Sequence, residues 1–164
     1  LEGMRPYRGG GEMIGEVSLD EVTYADPPHR FEAGTPPIVE AIGLGAALDY
    51  MMAIGWQNIC AHEEALAVHA MDVVGSINRV RIFGTTPDKG AIVSFMVDGI
   101  HPHDIAMVMG RSGVALRAGH HCAQPLMKRF DVVATARASF AVYNTHDEVE
   151  ALGAALTKAI GFFE

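Results

Sequence analysis

Between residues 58 and 97 the hydrophobic period changes from that of a helix to that of a strand, and this switch constrains the fold more than any other feature. From about Asn58 to Ile77 the apolar residues Ile59, Leu66, Ala70, Val73, Val74 and Ile77 keep a helical stripe, with Glu63 and Glu64 turned to water. Arg79-Val80-Arg81-Ile82-Phe83 then alternates with period two and stops at Gly84. Residues 85–90, with Pro87, Asp88 and Gly90, form a turn, and residues 91–97 a second, apolar strand. A short helix follows over residues 103–111, with Ile105, Val108 and Met109 inward. Residues 114–117 and 136–142 are two further strands separated by a loop. Thr145-His146-Asp147-Glu148 fits a capping box, and Val149, Leu152, Leu156, Ile160 and Phe163 then share one helical face. The order helix, two strands, helix, two strands, helix predicts an α+β layer, with helices packed on a small, mostly antiparallel sheet.

Residues 1–57 read differently. Residues 1–37 are rich in Gly and Pro, include Asp26-Pro27-Pro28, and predict extended segments and loops. Over residues 41–55 Ile42, Leu44, Ala47, Leu48, Met51 and Ile54 predict a well-buried helix that Gly55 stops. The opening Leu1-Glu2, with Arg5, Arg8 and Gly9 to Gly11, has nothing to cap a helix or pair as a strand. It reads as a flexible arm or as the interior of a longer chain.

Composition narrows the function classes. With 164 residues, 49% hydrophobic and 20% charged, the chain has material for a packed core. A net charge of −8, from 20 acids against 12 bases, argues against a nucleic-acid partner. No apolar run approaches the roughly 18 residues of a membrane span, so no membrane partner is expected. Two cysteines, Cys60 and Cys122, are too few for a disulfide framework and point to a reducing compartment, so the expectation is a cytoplasmic protein.

The densest chemistry lies in Gly119-His120-His121-Cys122-Ala123, which places a thiol on a loop at a strand's end. Cations or a protonated imidazole nearby favour the thiolate, which is the nucleophile. Cys60, inside a helical stripe, reads instead as a small buried hydrophobe. Zinc is a weaker reading of His101, His103, His120, His121 and Cys122, because the usual spaced ligand pairs are absent; no metal is expected. Arg137, inside an apolar strand, needs a partner, either a protein acid or a substrate carboxylate. Gly34-Thr35-Pro36 precedes a helix and offers a weak anion-site signal suited to phosphate. None of Lys89, Lys128 and Lys158 has the apolar setting that lowers a lysine pKa for Schiff-base work.

Three ordered stretches carry a resemblance. Arg30-Phe31-Glu32-Ala33-Gly34-Thr35-Pro36, Arg117-Ala118-Gly119-His120-His121-Cys122-Ala123, and Arg137-Ala138-Ser139 with Tyr143-Asn144-Thr145-His146 resemble the SUF-type cysteine desulfurases. These are pyridoxal 5'-phosphate (PLP) enzymes of the aspartate-aminotransferase fold (fold type I, aminotransferase class V), with selenocysteine lyases as close relatives. The resemblance implies the C-terminal portion only. Residues 1–57 would be the end of the large PLP-binding domain with its interdomain helix, and residues 58–164 the small C-terminal α+β domain. The PLP lysine would lie upstream of Gly9.

By the same resemblance, Cys122 is the persulfide-forming cysteine and Arg137 grips the substrate carboxylate, with Arg117 and His121 beside the sulfur. Thr35, with Gly34, reaches the PLP phosphate of the neighbouring subunit, which implies a homodimer. The implied reaction turns L-cysteine into L-alanine and passes sulfur to an acceptor protein for iron–sulfur cluster assembly. Ala118 and Gln124 depart from the commoner pattern beside the thiol, so acceptor preference and the choice between cysteine and selenocysteine stay open. The alternatives are a selenocysteine lyase, or a non-catalytic small-domain fragment that dimerises or pairs with a partner chain.

Overall fold

The computed structural model describes residues 1–164, which divide into two compact units, Leu1–Ala53 and Ile54–Glu164. No single helix is long and apolar enough to cross a membrane.

In the first unit, β1 (Ile14–Val17) and β2 (Val22–Tyr24) form an antiparallel hairpin, where the sequence predicts only extended segments and loops. Ser18 closes its turn, its Oγ accepting from the Glu21 backbone N–H at 3.0 Å. Both strands are mostly exposed and too short for periodicity to show. The glycine run is not a loose arm. The Gly34 N–H donates to the Gly11 carbonyl at 2.8 Å, and a Cβ on Gly10 would come within 2.7 Å of the Ala33 Cβ. Arg30 reinforces this arrangement, donating from Nε to the Ala25 carbonyl at 2.9 Å and from a terminal nitrogen to the Glu2 carbonyl at 2.8 Å. The unit ends in α1 (Ile38–Ile54). The expectation of a well-buried helix is wrong here: α1 has no buried residue. Its apolar residues occupy every side, so no one face gathers a core behind it.

The second unit holds the hydrophobic core. Its elements are α2 (Trp56–Gly75), β3 (Val80–Phe83), β4 (Ile92–Val97), α3 (Pro102–Arg111), β5 (Arg117–Gly119), α4 (Gln124–Phe130), β6 (Thr135–Ser139) and α5 (His146–Phe162). The four strands form one sheet in the order β3-β4-β6-β5, and every pairing is antiparallel. Period-two alternation divides its residues cleanly. Val93, Phe95, Val97, Ala136 and Ala138 are buried in the core with Leu66, Ala70 and Val74 of α2, Ile105 and Met109 of α3, and Val149, Leu152 and Leu156 of α5. Each fully buried Leu, Val or Phe there contributes about 1.5–3 kcal/mol.

The predicted layer is present, with three differences, the first being that the strand expected over residues 136–142 runs from Thr135 to Ser139. Residues 124–130, read as loop, form the short helix α4, which Pro125 opens and Asp131, at φ +57°, closes. Seven residues are too few for a helical stripe to register. The strand expected over residues 114–117 instead runs from Arg117 to Gly119, because its register is set by β6: Arg117 faces Arg137, Ala118 faces Ala136, and Gly119 faces Thr135. The capping box of α5 forms as the sequence predicts, with the Thr145 Oγ1 accepting from the Glu148 N–H at 3.3 Å and the Glu148 carboxylate accepting from the Thr145 N–H at 2.9 Å.

Candidate active site

The sheet face opposite the core carries the loaded residues. Phe83, Ser94 and Arg137 lie at facing positions on β3, β4 and β6, and Thr135 shares their side by its two-residue spacing from Arg137. Helix α4 lies against this face, where the Phe83 and Phe130 rings stand 5.2 Å apart. A cavity of about 300 Å³ opens between them, lined by His121, Ala123, Met127, Thr135 and Arg137 among others. The two residues that flank Cys122 therefore line the same cavity as Arg137.

Cys122 sits at the tip of a tight turn between β5 and α4, and it is exposed. His121 and Cys122 both adopt left-handed backbone conformations, at φ +53° and +57°. The Ala123 N–H donates to the His120 carbonyl at 2.8 Å and closes the turn. Two consecutive positive φ values with this bond are the pattern of a type I′ turn, usually built from Gly, Asn or Asp. Each such residue that is not glycine carries a penalty of about 1–2 kcal/mol, so the surroundings must hold the turn. They do so at two points. The Cys122 N–H donates to the His120 Nδ1 at 3.2 Å, and the His121 Nε2 lies 3.1 Å from the Thr135 carbonyl oxygen and 3.0 Å from its hydroxyl. A carbonyl only accepts, so Nε2 carries the ring proton.

Burial pushes His121 below the usual imidazole range; the hydrogen bond to Thr135 opposes this, and the nearby Arg137, Arg117 and His120 reinforce it. His121 is thus a neutral ring near pH 7. The protonated imidazole that the sequence offers as a thiolate partner is not His121. Its Nδ1 is buried without a hydrogen-bond partner.

Arg137 has no ion-pair partner within this chain. Its Nε is buried without a partner, and no protein carboxylate lies at ion-pair distance from it or from Arg117. Arg117 stands directly opposite Arg137 across the β5–β6 pair. Like charges facing each other across strands destabilise a sheet. Facing positions on β5 and β6 thus carry two arginines without an ion pair in this chain, and a guanidinium fork suits a carboxylate.

Thr35 and Gly34 belong to the first unit. Gly34 has φ +92°, which glycine alone adopts without strain, and nothing stands within 4 Å of a Cβ built on it. Thr35 is exposed, two residues before the proline pair ends and α1 begins. An open backbone and a free hydroxyl at a helix start fit a phosphate group.

Two expectations require correction. Cys60 is exposed rather than buried, because it lies one residue off the stripe of Ile59, Leu66, Ala67, Ala70 and Val74. Lys89 does have a setting that lowers its pKa: burial is the cause, and its Nζ donates to the Gly84 carbonyl at 2.7 Å. Lys89 and Cys60 line a separate cavity of about 550 Å³ between α2 and the β3–β4 turn. The histidines weighed for zinc are engaged otherwise. His101 caps α3, its Nδ1 accepting from the His103 N–H, and no group of three or more His, Cys, Asp or Glu residues is placed to hold an ion.

Thr135 escaped the sequence reading, although it is the one buried polar residue of the chain. The available signal was its position two residues before Arg137 in a strand, which places both side chains on one face. Asn144, part of the third stretch, serves the fold. Its Oδ1 accepts from the Ala141 N–H at 2.9 Å and its Nδ2 donates to Glu148 at 3.1 Å.

Residues 1–152 match the aminotransferase class-V family, and the chain belongs to it. A probable cysteine desulfurase of Xylella fastidiosa is 51% identical over 155 residues, covering 94% of this chain and 37% of the relative. The crystal structure of the Escherichia coli cysteine desulfurase CsdA in its S-sulfonic acid form superposes with a TM-score of 0.87 at 38% identity, covering 99% of this chain and 40% of that one. A mutant of the cystine C–S lyase C-DES with glycine covalently linked to its PLP cofactor, at 24% identity and a TM-score of 0.68 over 93% of this chain and 37% of that one, shows the fold alone. The fold is thus the α+β portion of a PLP-dependent desulfurase architecture. The chain spans about two-fifths of the length of the curated relatives it matches.

Proposed function

We propose that this chain is the C-terminal portion of a PLP-dependent cysteine desulfurase, in which Arg137 binds the carboxylate of L-cysteine and Cys122 takes its sulfur. The observation that carries the reading is the pair of unpaired arginines, Arg117 and Arg137, set face to face beside the Cys122 turn. An amino-acid carboxylate between them removes their repulsion and satisfies the buried Arg137 Nε–H. The likeness to desulfurases across nearly the whole chain supports the choice of substrate.

Residues 1–57 are the end of the large domain with its interdomain helix, and residues 58–164 the small domain. Thr35, with Gly34, holds the phosphate of PLP across a homodimer. When bound, the pyridoxal ring supplies an electron sink for cleavage of the carbon–sulfur bond. Cys122 accepts the sulfur as a persulfide, the remainder leaves as alanine, and an acceptor protein collects the sulfur for iron–sulfur cluster assembly. His121, neutral in its setting, adds no third positive charge to the arginine pair. The Schiff-base lysine is none of the three in this chain, since Lys128 and Lys158 are exposed and Lys89, although burial lowers its pKa, lines the cavity of Cys60 and not that of Arg137. Cysteine usage supports a cytoplasmic setting.

The test is Cys122→Ala in a desulfurase of full family length that carries this segment. Alanine formation from L-cysteine is expected to fall to background, while selenocysteine, whose selenium leaves more readily, remains a substrate. Normal sulfide release from cysteine by the Ala variant would remove Cys122 from the reaction. Arg137→Lys loses the bidentate fork, worth about 1.5–3 kcal/mol for a charged hydrogen bond, so KM is expected to rise by about tenfold to a hundredfold. For the 164-residue chain alone with added PLP, borohydride is expected to trap no lysine adduct.

A further inference from the structure

No carboxylate pairs with His121, and its ring is fixed at one point, through Nε2, to a residue outside the turn. Its backbone is left-handed, and so is that of Cys122 beside it. Its Nε2 reaches across to the carbonyl and hydroxyl of Thr135, itself 1% exposed. Thr135 is immobilised in β6, between Gly119 of β5 and the residues of α4 that line the cavity. The anchor is therefore the rigid sheet, and the element it restrains is the turn that presents the thiol.

We infer that His121 and Thr135 form a positioning pair, in which a neutral imidazole tethered to β6 holds Cys122 in its left-handed, outward-facing conformation. The inference rests on the reading of Cys122 as the sulfur carrier for its purpose, but its geometry stands apart from that reading. Without the tether, only the two bonds to His120 oppose the relaxation of both residues from positive φ, a region that His and Cys enter at a penalty glycine does not carry. The turn then relaxes to a common conformation, and Cys122 turns away from the position it now holds. In this role His121 acts through Cys122, as a positioning residue.

The tether makes a specific tautomer obligatory. With Nε2–H donating to the Thr135 carbonyl, Nδ1 is unprotonated. A proton on Nδ1 would be buried without an acceptor and would face Arg117, Arg137 and His120. The pair is therefore expected to hold the turn at neutral pH and to weaken as His121 protonates.

Nitrogen-15 shifts of the ring and amide-to-Hα NOEs test this on the 164-residue chain carrying Cys60→Ser, which removes the other exposed thiol. The expected result is the Nε2–H tautomer at neutral pH, together with strong intraresidue amide–Hα NOEs at residues 121 and 122, the signature of positive φ. The Nδ1–H tautomer would overturn the pair without any further variant. In His121→Ala the NOE at Cys122 is expected to weaken, and alkylation of the thiol by iodoacetamide to slow by about threefold or more, a loss within the scale of one strained residue. His121→Gln, whose amide can still reach the Thr135 carbonyl, is expected to restore both. An unchanged NOE and rate in His121→Ala, or rescue by Asn and not by Gln, would overturn the tether, the latter by crediting the turn to tolerance of positive φ. If these outcomes hold while Cys122→Ala still transfers sulfur, the catalytic reading fails and the positioning of Cys122 stands.

Discussion

The two units of the chain are nearly equal in apolar character and opposite in what they do with it. Helix α1 of the first unit reads Ile38, Val39, Ile42, Leu44 and Leu48, and all five side chains are exposed. Helix α5 of the second unit is equally long and mixes charged residues among its apolar ones, yet it buries Val149, Leu152, Leu156 and Ile160. The difference is arrangement. A stripe confined to one face meets a sheet and a partner helix, whereas apolar residues on every side of a helix require cover all round. Met13 is the only buried hydrophobic residue of the first unit, while the sheet and three helices of the second share a continuous core. Burial thus belongs to a residue's neighbours more than to its own hydropathy.

The comparison is broken most directly in the core. Phe95→Ala empties the middle of β4, where Phe95 is 0% exposed, and is expected to cost about 3–5 kcal/mol in chemical denaturation. A loss below 1 kcal/mol would mean that the second unit's core does not govern its stability. Gly153→Ala comes next. A Cβ there would collide with Val73 of α2, so the α2–α5 packing must open, at about 1–3 kcal/mol in the same measurement. Thr145→Ala removes the cap of α5 and is expected to cost about 1 kcal/mol. Ile42→Ala on the exposed α1 should stay within about 0.5 kcal/mol in the 164-residue chain; a larger loss would show that α1 is covered in solution.

Acid sharpens the contrast further. Burial, with the arginines near it, holds His121 below the usual imidazole range, so the unfolded chain binds this proton more readily. Its contribution to stability is full above about pH 6.5 and is lost as pH falls below that value. Glu148 is held below the usual carboxylate range, first by the Asn144 hydrogen bond and then by the Thr145 N–H, and its contribution is lost in a lower window. Melting temperatures across pH 4–7 should therefore fall on acidification, and His121→Gln should remove the upper part of that fall.

The order of the major helices and strands in the second unit was legible, because period-two and period-3.6 patterns do not imitate one another. The capping box marked the start of α5 for the same reason: its two side chains bond within four residues of sequence. The short helix α4, the β1–β2 hairpin and the end of β5 were not legible. Their helix and strands are each three to seven residues long, and each is decided by what lies across from it.

The candidate site divides in the same way. Cys122, Arg137, Arg117 and His121 were visible as residue types in a pattern, but their relation was not. That Arg117 faces Arg137 follows from the register of β5 on β6. That His121 is neutral follows from Thr135, fourteen residues away in sequence and hydrogen-bonded in space. Sequence alone determined the periodic elements and the chemical groups this chain carries, since both depend on local spacing. Tertiary structure alone decided which charges stand unpaired, which thiol is presented and which apolar helix is left open, because charge and burial depend on distances that the chain closes only when it folds.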